Sequence, residues 1–302
     1  MKVLLIKTLN GDLGISCKVS ISYIDINYKL GKVMNKQINE SRGQKPSALI
    51  TGASSGIGES FTNKLAAQGY NLVLVARRED KLEELAKSIR EVFAVKVTVI
   101  AADLSDPNEP QRIFESLQDQ NIDIEVLINS AGLALAKPFV DSIWQEQQDL
   151  MNVMMISLTR MCHLFSASMK EQGRGYIINV ASMAAFAPEL PGNLYSATKA
   201  FVVHMSEALD LELKPLGVNC LALCPGLTRS EFHETMGIKE ALSIIPQWRW
   251  MDADKVADEG LNAVMGGRHI HVNGKLNRVL VNTFKLMPKQ AKYFLGSKGI
   301  IL

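Results

Sequence analysis

The sequence predicts an α/β fold: a single doubly wound parallel sheet with helices on both faces. Short, near-continuous apolar runs recur from Ser47 onward, as in strands buried on both sides. Helix-like segments alternate with these runs, the rhythm of parallel strands joined by crossovers. A glycine-rich turn follows the first run and leads straight into a helix.

Residues 1 to about 45 stand apart. They hold eight Lys/Arg against three Asp/Glu with weak periodicity, and "NESRGQKP" (39–46) reads as a polar linker. A poorly ordered or loosely attached N-terminal extension is expected, with Met34 as an alternative start. "SALIT" is then a short strand. "GIGESFTNKLAAQGY" is a helix with Phe61, Leu65 and Ala66 on one side, stopping at Gly69. "NLVLVA" is a buried strand, and "REDKLEELAKSIREVF" an amphipathic helix with Leu82, Leu85 and Ile89 on one face. Further strands are expected at "KVTVIA" (96–101), "IEVLIN" (124–129), "GYIINVA" (175–181) and "GVNCLALC" (217–224). The longest helices between them span about 142–171 and 193–213. The main domain is expected over 46–275 and a basic amphipathic tail over 276–302.

The bulk properties narrow the function classes. The chain has 302 residues, 47% hydrophobic and 21% charged, enough for a sizeable core without staples. A net charge of +2 gives no argument for nucleic acid. Cys17, Cys162, Cys220 and Cys224 form neither a Cys-x-x-Cys pair nor a metal-ligand spacing, so reduced thiols and a cytoplasmic setting are expected. No run approaches the roughly 20 apolar residues of a spanning helix. Lys7 interrupts the first apolar stretch, so no secretory signal is expected.

The turn "TGASSGIG" comprises Thr51, Gly52, Ala53, Ser54, Ser55, Gly56, Ile57 and Gly58. Its glycines let backbone approach a pyrophosphate, and the helix start beyond it favours negative charge. Three glycines also occur in plain strand-to-helix turns, so the next strand must discriminate. That strand ends in Arg77 and Arg78, where NAD-binding folds carry an acid for the ribose 2′-hydroxyl. Guanidinium suits a 2′-phosphate, and two arginines at a helix start otherwise oppose its dipole. NADP(H) is the expected cofactor, with Ser54 and Ser55 as added hydroxyl donors.

Tyr195 and Lys199 in "YSATK" are four apart and share a helix face. A free tyrosine titrates at about 10, and a neighbouring ammonium is expected to lower that value toward the working pH. Ser182 lies at a strand end, where its hydroxyl can orient a carbonyl or alcohol oxygen.

In order along the chain, "TGASSGIG", Asp103 in "AADLSD", "NSAG" (129–132), Asn152 in "LMNV", Ser182 in "INVAS", "YSATK" and "CPGLTRS" (224–230) resemble the short-chain dehydrogenase/reductase family. The resemblance covers roughly 46–274, and "VARRED" and "LNRVL" are similar to a bacterial-type, NADPH-dependent subgroup. It implies a Rossmann-like fold. It also implies that Asp103 and Leu104 border the adenine, and that Asn129, Ala131 and Gly132 line the cofactor cleft. Pro225, Gly226, Thr228 and Ser230 would hold the nicotinamide side, and Asn152 a water that links Lys199 to solvent. Two departures are visible: Ser130 replaces the second asparagine of the family's "NNAG", and Ser230 a threonine. Homo-oligomer contacts through the helices around 152–171 and 193–213 are implied as well.

The expected reaction is hydride transfer between NADPH and the carbonyl or secondary alcohol of an apolar substrate. Tyr195 donates the proton, Ser182 polarises the oxygen, and Lys199 tunes the tyrosine and holds the ribose. A substrate lid is expected over about 227–255, with Phe232, Met236, Ile245, Trp248 and Trp250 suited to an apolar ligand or to covering the sheet. His269 and His271 share a strand face but lack a third ligand, so no metal is expected. From Gly260 to the end there are seven Lys/Arg and no Asp/Glu. That bias suits a docked helix with lysines outward, or peripheral contact with an anionic membrane. Two alternatives stand beside the main reading: a membrane-associated lipid or 3-oxoacyl reductase, and a non-catalytic NADPH-binding sensor or scaffold.

Overall fold

The computed structural model describes residues 45–135, 137–188, 194–231 and 245–298. The N-terminal extension with Met34, and Phe232 and Met236 of the expected lid, lie outside the described residues. In chain order the elements are β1 (Ser47–Thr51), α1 (Gly56–Ala67), β2 (Asn71–Ala76), α2 (Glu79–Val92), β3 (Val97–Ala101), α3 (Glu109–Asp119) and β4 (Ile124–Asn129). There follow α4 (Trp144–Met151), a π-helical turn (Asn152–Ser157), α5 (Leu158–Gln172), β5 (Gly175–Val180), α6 (Tyr195–Leu213) and β6 (Val218–Cys224). The last are α7 (Ala253–Met265), β7 (Ile270–Val272), α8 (Lys275–Leu286) and α9 (Lys289–Ser297).

All neighbouring strands are parallel, in the order β3-β2-β1-β4-β5-β6-β7. The chain starts at the centre, winds to one edge and returns to wind to the other. The reversal leaves a crevice beyond the C-terminal ends of β1 and β4, where ligands bind in such sheets. This is the Rossmann-like doubly wound fold expected.

Continuous apolar strands serve two cores at once, because successive side chains point to opposite faces. On β1, Leu49 joins one core, with Ile113 and Leu117 of α3, Met161 and Phe165 of α5, and Val202 and Val203 of α6. Its neighbours Ala48 and Ile50 join the other, with Phe61 and Leu65 of α1, Leu82 and Ile89 of α2, and Val256 and Leu261 of α7. Gly69 ends α1 at φ +86°, the left-handed conformation that glycine adopts without strain.

The sequence suggested one uninterrupted helix over about 142–171, and the structure instead places a π-turn within it. Both ends of that turn are tied to one loop: Asn152 Nδ2 donates to the Ser105 carbonyl at 2.8 Å and Ser157 Oγ to the Leu104 carbonyl at 2.7 Å. The helix widens by one residue where those bonds are made, a device common beside functional sites. Among the described residues no helix is long and apolar enough to cross a membrane.

Candidate functional site

A cavity of about 820 Å³ opens at the crevice between β1 and β4. The glycine-rich turn forms its floor. Gly52 has φ +65°, and a Cβ there would lie 2.8 Å from the Ala131 backbone nitrogen. A Cβ on Gly56, at φ +58°, would meet the Ser230 Cβ at 2.7 Å. Thr51 Oγ1 accepts from the Ser130 and Ala131 N–H groups, both at 3.1 Å, and so ties the turn to the end of β4. The N-cap residue of α1, Ser55, makes no side-chain capping bond. The first N–H groups of α1 therefore remain open to an anionic ligand.

At the end of β2, Arg77 and Arg78 line the same cavity. Arg78 Nη2 donates to Ser54 Oγ at 3.1 Å and Nη1 to Glu231 Oε2 at 2.8 Å. Lys81 Nζ donates to the other Glu231 oxygen at 2.7 Å. A turn with glycine at its closest approaches, Gly52 and Gly56, an uncapped helix start and clustered cations fit a phosphorylated dinucleotide.

The reactive end is built by β5 and α6. Ser182 follows β5, and its Oγ accepts from the Ala184 N–H at 3.1 Å. Tyr195 opens α6, and its hydroxyl is hydrogen-bonded to Ser182. Lys199, one helical turn on, is buried and donates from Nζ to the Val180 carbonyl at 2.7 Å. All three line the cavity. Burial raises the Tyr195 pKa, with the Ser182 hydrogen bond pulling it partly back. Burial lowers the Lys199 pKa to about 8, with Cys224 opposing. The expected net lowering of Tyr195 is not what the structure gives: desolvation, which penalises both charged forms, raises it.

Of the other predicted residues, Ser54, Ser55, Ile57, Asp103, Leu104, Ala131, Gly132, Pro225, Gly226, Thr228 and Ser230 line the cavity with Gly52, Gly56 and the two arginines. Three depart. Gly58 lies under the turn, where a Cβ would sit 2.1 Å from the Gly52 carbonyl oxygen, so it serves packing. Asn129 turns into the core: its Nδ2 donates to Asn179 Oδ1 at 2.8 Å, and Asn179 Nδ2 donates to Ser206 Oγ at 3.0 Å. A buried amide must find partners, and the neighbouring strand supplies them. Asn152 spends its amide on Ser105 and does not line the cavity. From the expected lid, Ile245 lines the cavity, whereas Trp248 points to solvent at 72% exposure. His271 is paired with Glu259, Nε2 to Oε2 at 2.9 Å.

Several residues escaped the sequence reading. Thr51, Asn179 and Ser206 hold the strand ends in place, and Glu231, Asn277 and Phe284 line the cavity. A local signal existed for Thr51, which precedes the first glycine. Asn277 lies within "LNRVL", whose likeness to a subgroup carried no role for it, and Glu231 had no such signal.

The profile of the short chain dehydrogenase family matches residues 46–241. A 7beta-hydroxysteroid dehydrogenase of Collinsella aerofaciens is 33% identical over 180 residues, 60% of this chain and 68% of that protein. Among solved structures, a short-chain dehydrogenase from Sphingobium yanoikuyae in complex with NADPH is 31% identical, with a TM-score of 0.71 over 80% of this chain and 96% of that one. A bulky-bulky ketone specific alcohol dehydrogenase from Comamonas testosteroni is also 31% identical, with a TM-score of 0.67 over 81% and 95% of the two chains.

Proposed function

Because this chain belongs to the short-chain dehydrogenase family, we propose that Ser182, Tyr195 and Lys199 carry the NADPH-dependent reduction of a bulky, apolar ketone. The chain is an oxidoreductase acting between carbonyl and secondary alcohol, so the non-catalytic sensor is set aside. The observation that carries the site assignment is the meeting of the three side chains in one cavity.

NADPH, held by the glycine-rich turn and the arginines, would supply the hydride when bound. Tyr195 donates the proton to the carbonyl oxygen, and its burial keeps the phenol protonated for that task. Ser182 fixes the phenol by hydrogen bond and orients the same oxygen. The Val180 carbonyl takes one N–H of Lys199 and leaves two to meet ribose hydroxyls. Arg78 and Ser54, already hydrogen-bonded to each other, would hold the 2′-phosphate. Leu133, Leu135, Met183, Pro188, Ile245 and Phe284 give the cavity an apolar wall for the substrate. The steroid and bulky-ketone activities named for two relatives agree with that wall.

The test is NADPH consumption by the purified chain with aryl, steroid and short aliphatic ketones, using wild type and Tyr195→Phe. Bulky ketones should turn over, and the variant should lose about 100-fold or more in kcat. Turnover surviving in the variant would remove Tyr195 from the reaction. A preference for short aliphatic ketones would remove the bulky substrate.

A second proposal concerns α8 and α9. They expose Leu276, Val279, Leu286, Tyr293 and Phe294 among lysines, while Val281 and Phe284 anchor α8 in the domain. That surface suits peripheral contact with an anionic bilayer and delivery of a lipid-like ketone. Flotation with phosphatidylserine vesicles tests it, and absence of flotation at low salt removes it. Exposed Ile156 and Leu211 likewise support self-association through the π-turn and α6, which the mass of the protein in solution checks.

A further inference from the structure

We propose that Glu231 fills the seat of the cofactor's 2′-phosphate, that Lys81 belongs to that seat, and that displacement of this carboxylate sets the affinity for NADPH. The inference rests on the dinucleotide reading above and concerns two residues that lie just outside the motifs quoted from the sequence, Lys81 and Glu231.

Each Glu231 oxygen takes one cation: Oε2 accepts from Arg78 at 2.8 Å and Oε1 from Lys81 at 2.7 Å. The partners lie 153 and 150 residues away in sequence, so the tertiary fold alone brings them together. Arg78, Ser54 and Glu231 all line the cavity at the end of β2, where the fold puts the adenosine ribose. A carboxylate and a phosphate use the same chemistry here: anionic oxygens that accept from a guanidinium fork and an ammonium. The two anions therefore compete for one set of donors.

The competition is uneven in a useful way. Glu231 brings a single charge, whereas a phosphate monoester brings about −1.5 to −2 at neutral pH. Arg78 and Glu231 are 42% and 41% exposed, which makes their ion pair cheap to open. NADPH can thus expel the carboxylate and recruit Arg78 and Lys81 together. NADH carries no anion at this position and leaves the pair closed. Glu231 thereby lowers affinity for NADPH selectively, and Lys81 raises it selectively.

The test uses the full chain and equilibrium binding of NADPH, NADH and adenosine 2′,5′-bisphosphate, the last isolating the 2′-phosphate from the nicotinamide. Glu231→Gln should tighten NADPH and the bisphosphate by about fivefold and leave NADH within about twofold. Lys81→Met should weaken both phosphate ligands by about tenfold, again with NADH nearly unchanged. Both effects should shrink as salt is raised. Unchanged or weaker NADPH binding in Glu231→Gln overturns the inference, as does an equal loss of NADPH and NADH in Lys81→Met. Wild-type protein that binds neither dinucleotide would overturn the dinucleotide reading and this inference with it. Tight wild-type NADPH binding with unresponsive variants overturns this inference alone.

Discussion

The amine of Lys199 lies 5.7 Å from the centre of the Tyr195 ring and is anchored to the Val180 carbonyl at 2.7 Å. One helical turn and one strand end thus hold the two groups together in a buried setting. Burial acts on them in opposite senses, raising Tyr195 and lowering Lys199 to about 8. The site keeps its phenol protonated while holding an ammonium that titrates within reach of physiological pH.

Lys199→Met should stabilise the protein while disabling it. The unfolded lysine titrates near 10.5 and the folded one at about 8, so the unfolded chain binds more protons between these values. Wild-type stability therefore rises with pH across that window, and the burial cost is fully present below it. At pH 7 the variant should gain roughly 1–3 kcal/mol, seen as a higher Tm, and the gain should fade toward pH 10. A lower Tm at pH 7 would contradict this account of the burial.

The pH profiles of the two directions should diverge. Ketone reduction needs a protonated Tyr195, which burial favours, so kcat/KM should be level below pH 8 and decline above it as Lys199 loses its charge. Alcohol oxidation must first take the proton from Tyr195 and should rise with pH. Reduction that accelerates through pH 9 would assign the proton to another group.

Gly58→Ala should break the turn from beneath. Its Cβ would come within 2.1 Å of the Gly52 carbonyl oxygen, a backbone atom with no room to retreat. The loss should be about 2–3 kcal/mol in stability, with NADPH affinity falling together with it. Calorimetry and dinucleotide titration on one preparation read both, and near wild-type values would show that the turn can relax.

Asn152→Ala should act on cofactor binding rather than on chemistry. Without the 2.8 Å bond to Ser105, the Asp103–Leu104 border loses one anchor and keeps that from Ser157. The KM for NADPH should rise about five- to tenfold with kcat within about threefold. A collapse of kcat at constant KM would instead favour the water-relay role that the family resemblance implies.

Much of the fold was legible because its determinants are local. Short, β-branched-rich apolar runs such as "NLVLVA" fit strands covered on both faces, and their alternation with amphipathic helices fits parallel crossovers. The glycine-rich turn was legible for a similar reason, since positive φ at Gly52 and Gly56 is a requirement of the backbone itself. Helical spacing alone did not single out Tyr195 and Lys199; they became candidates through their order after the glycine-rich turn, Asn152 and Ser182.

Residues whose partners lie far away in the chain carry no local sign of those partners. Asn129 carries the same amide whether it faces a cleft or a core, and the choice is made by Asn179, 50 residues later. Asn152 carries no sign of its bond to Ser105, 47 residues earlier. The sense of the Tyr195 shift depended on how much solvent the surrounding elements exclude, which spacing on one helix does not encode.

By itself the sequence determined the doubly wound sheet, the glycine-rich turn after its first strand, the two arginines at the end of β2 and the candidate trio of Ser182, Tyr195 and Lys199. Each follows from short-range periodicity, from backbone conformation or from the chemistry of a side chain. Only the tertiary structure decided which side chains face the cavity, that burial raises Tyr195, and that Glu231 sits on Arg78 and Lys81. Those outcomes depend on solvent exclusion and on donors and acceptors brought together across more than a hundred residues, and packing alone sets both.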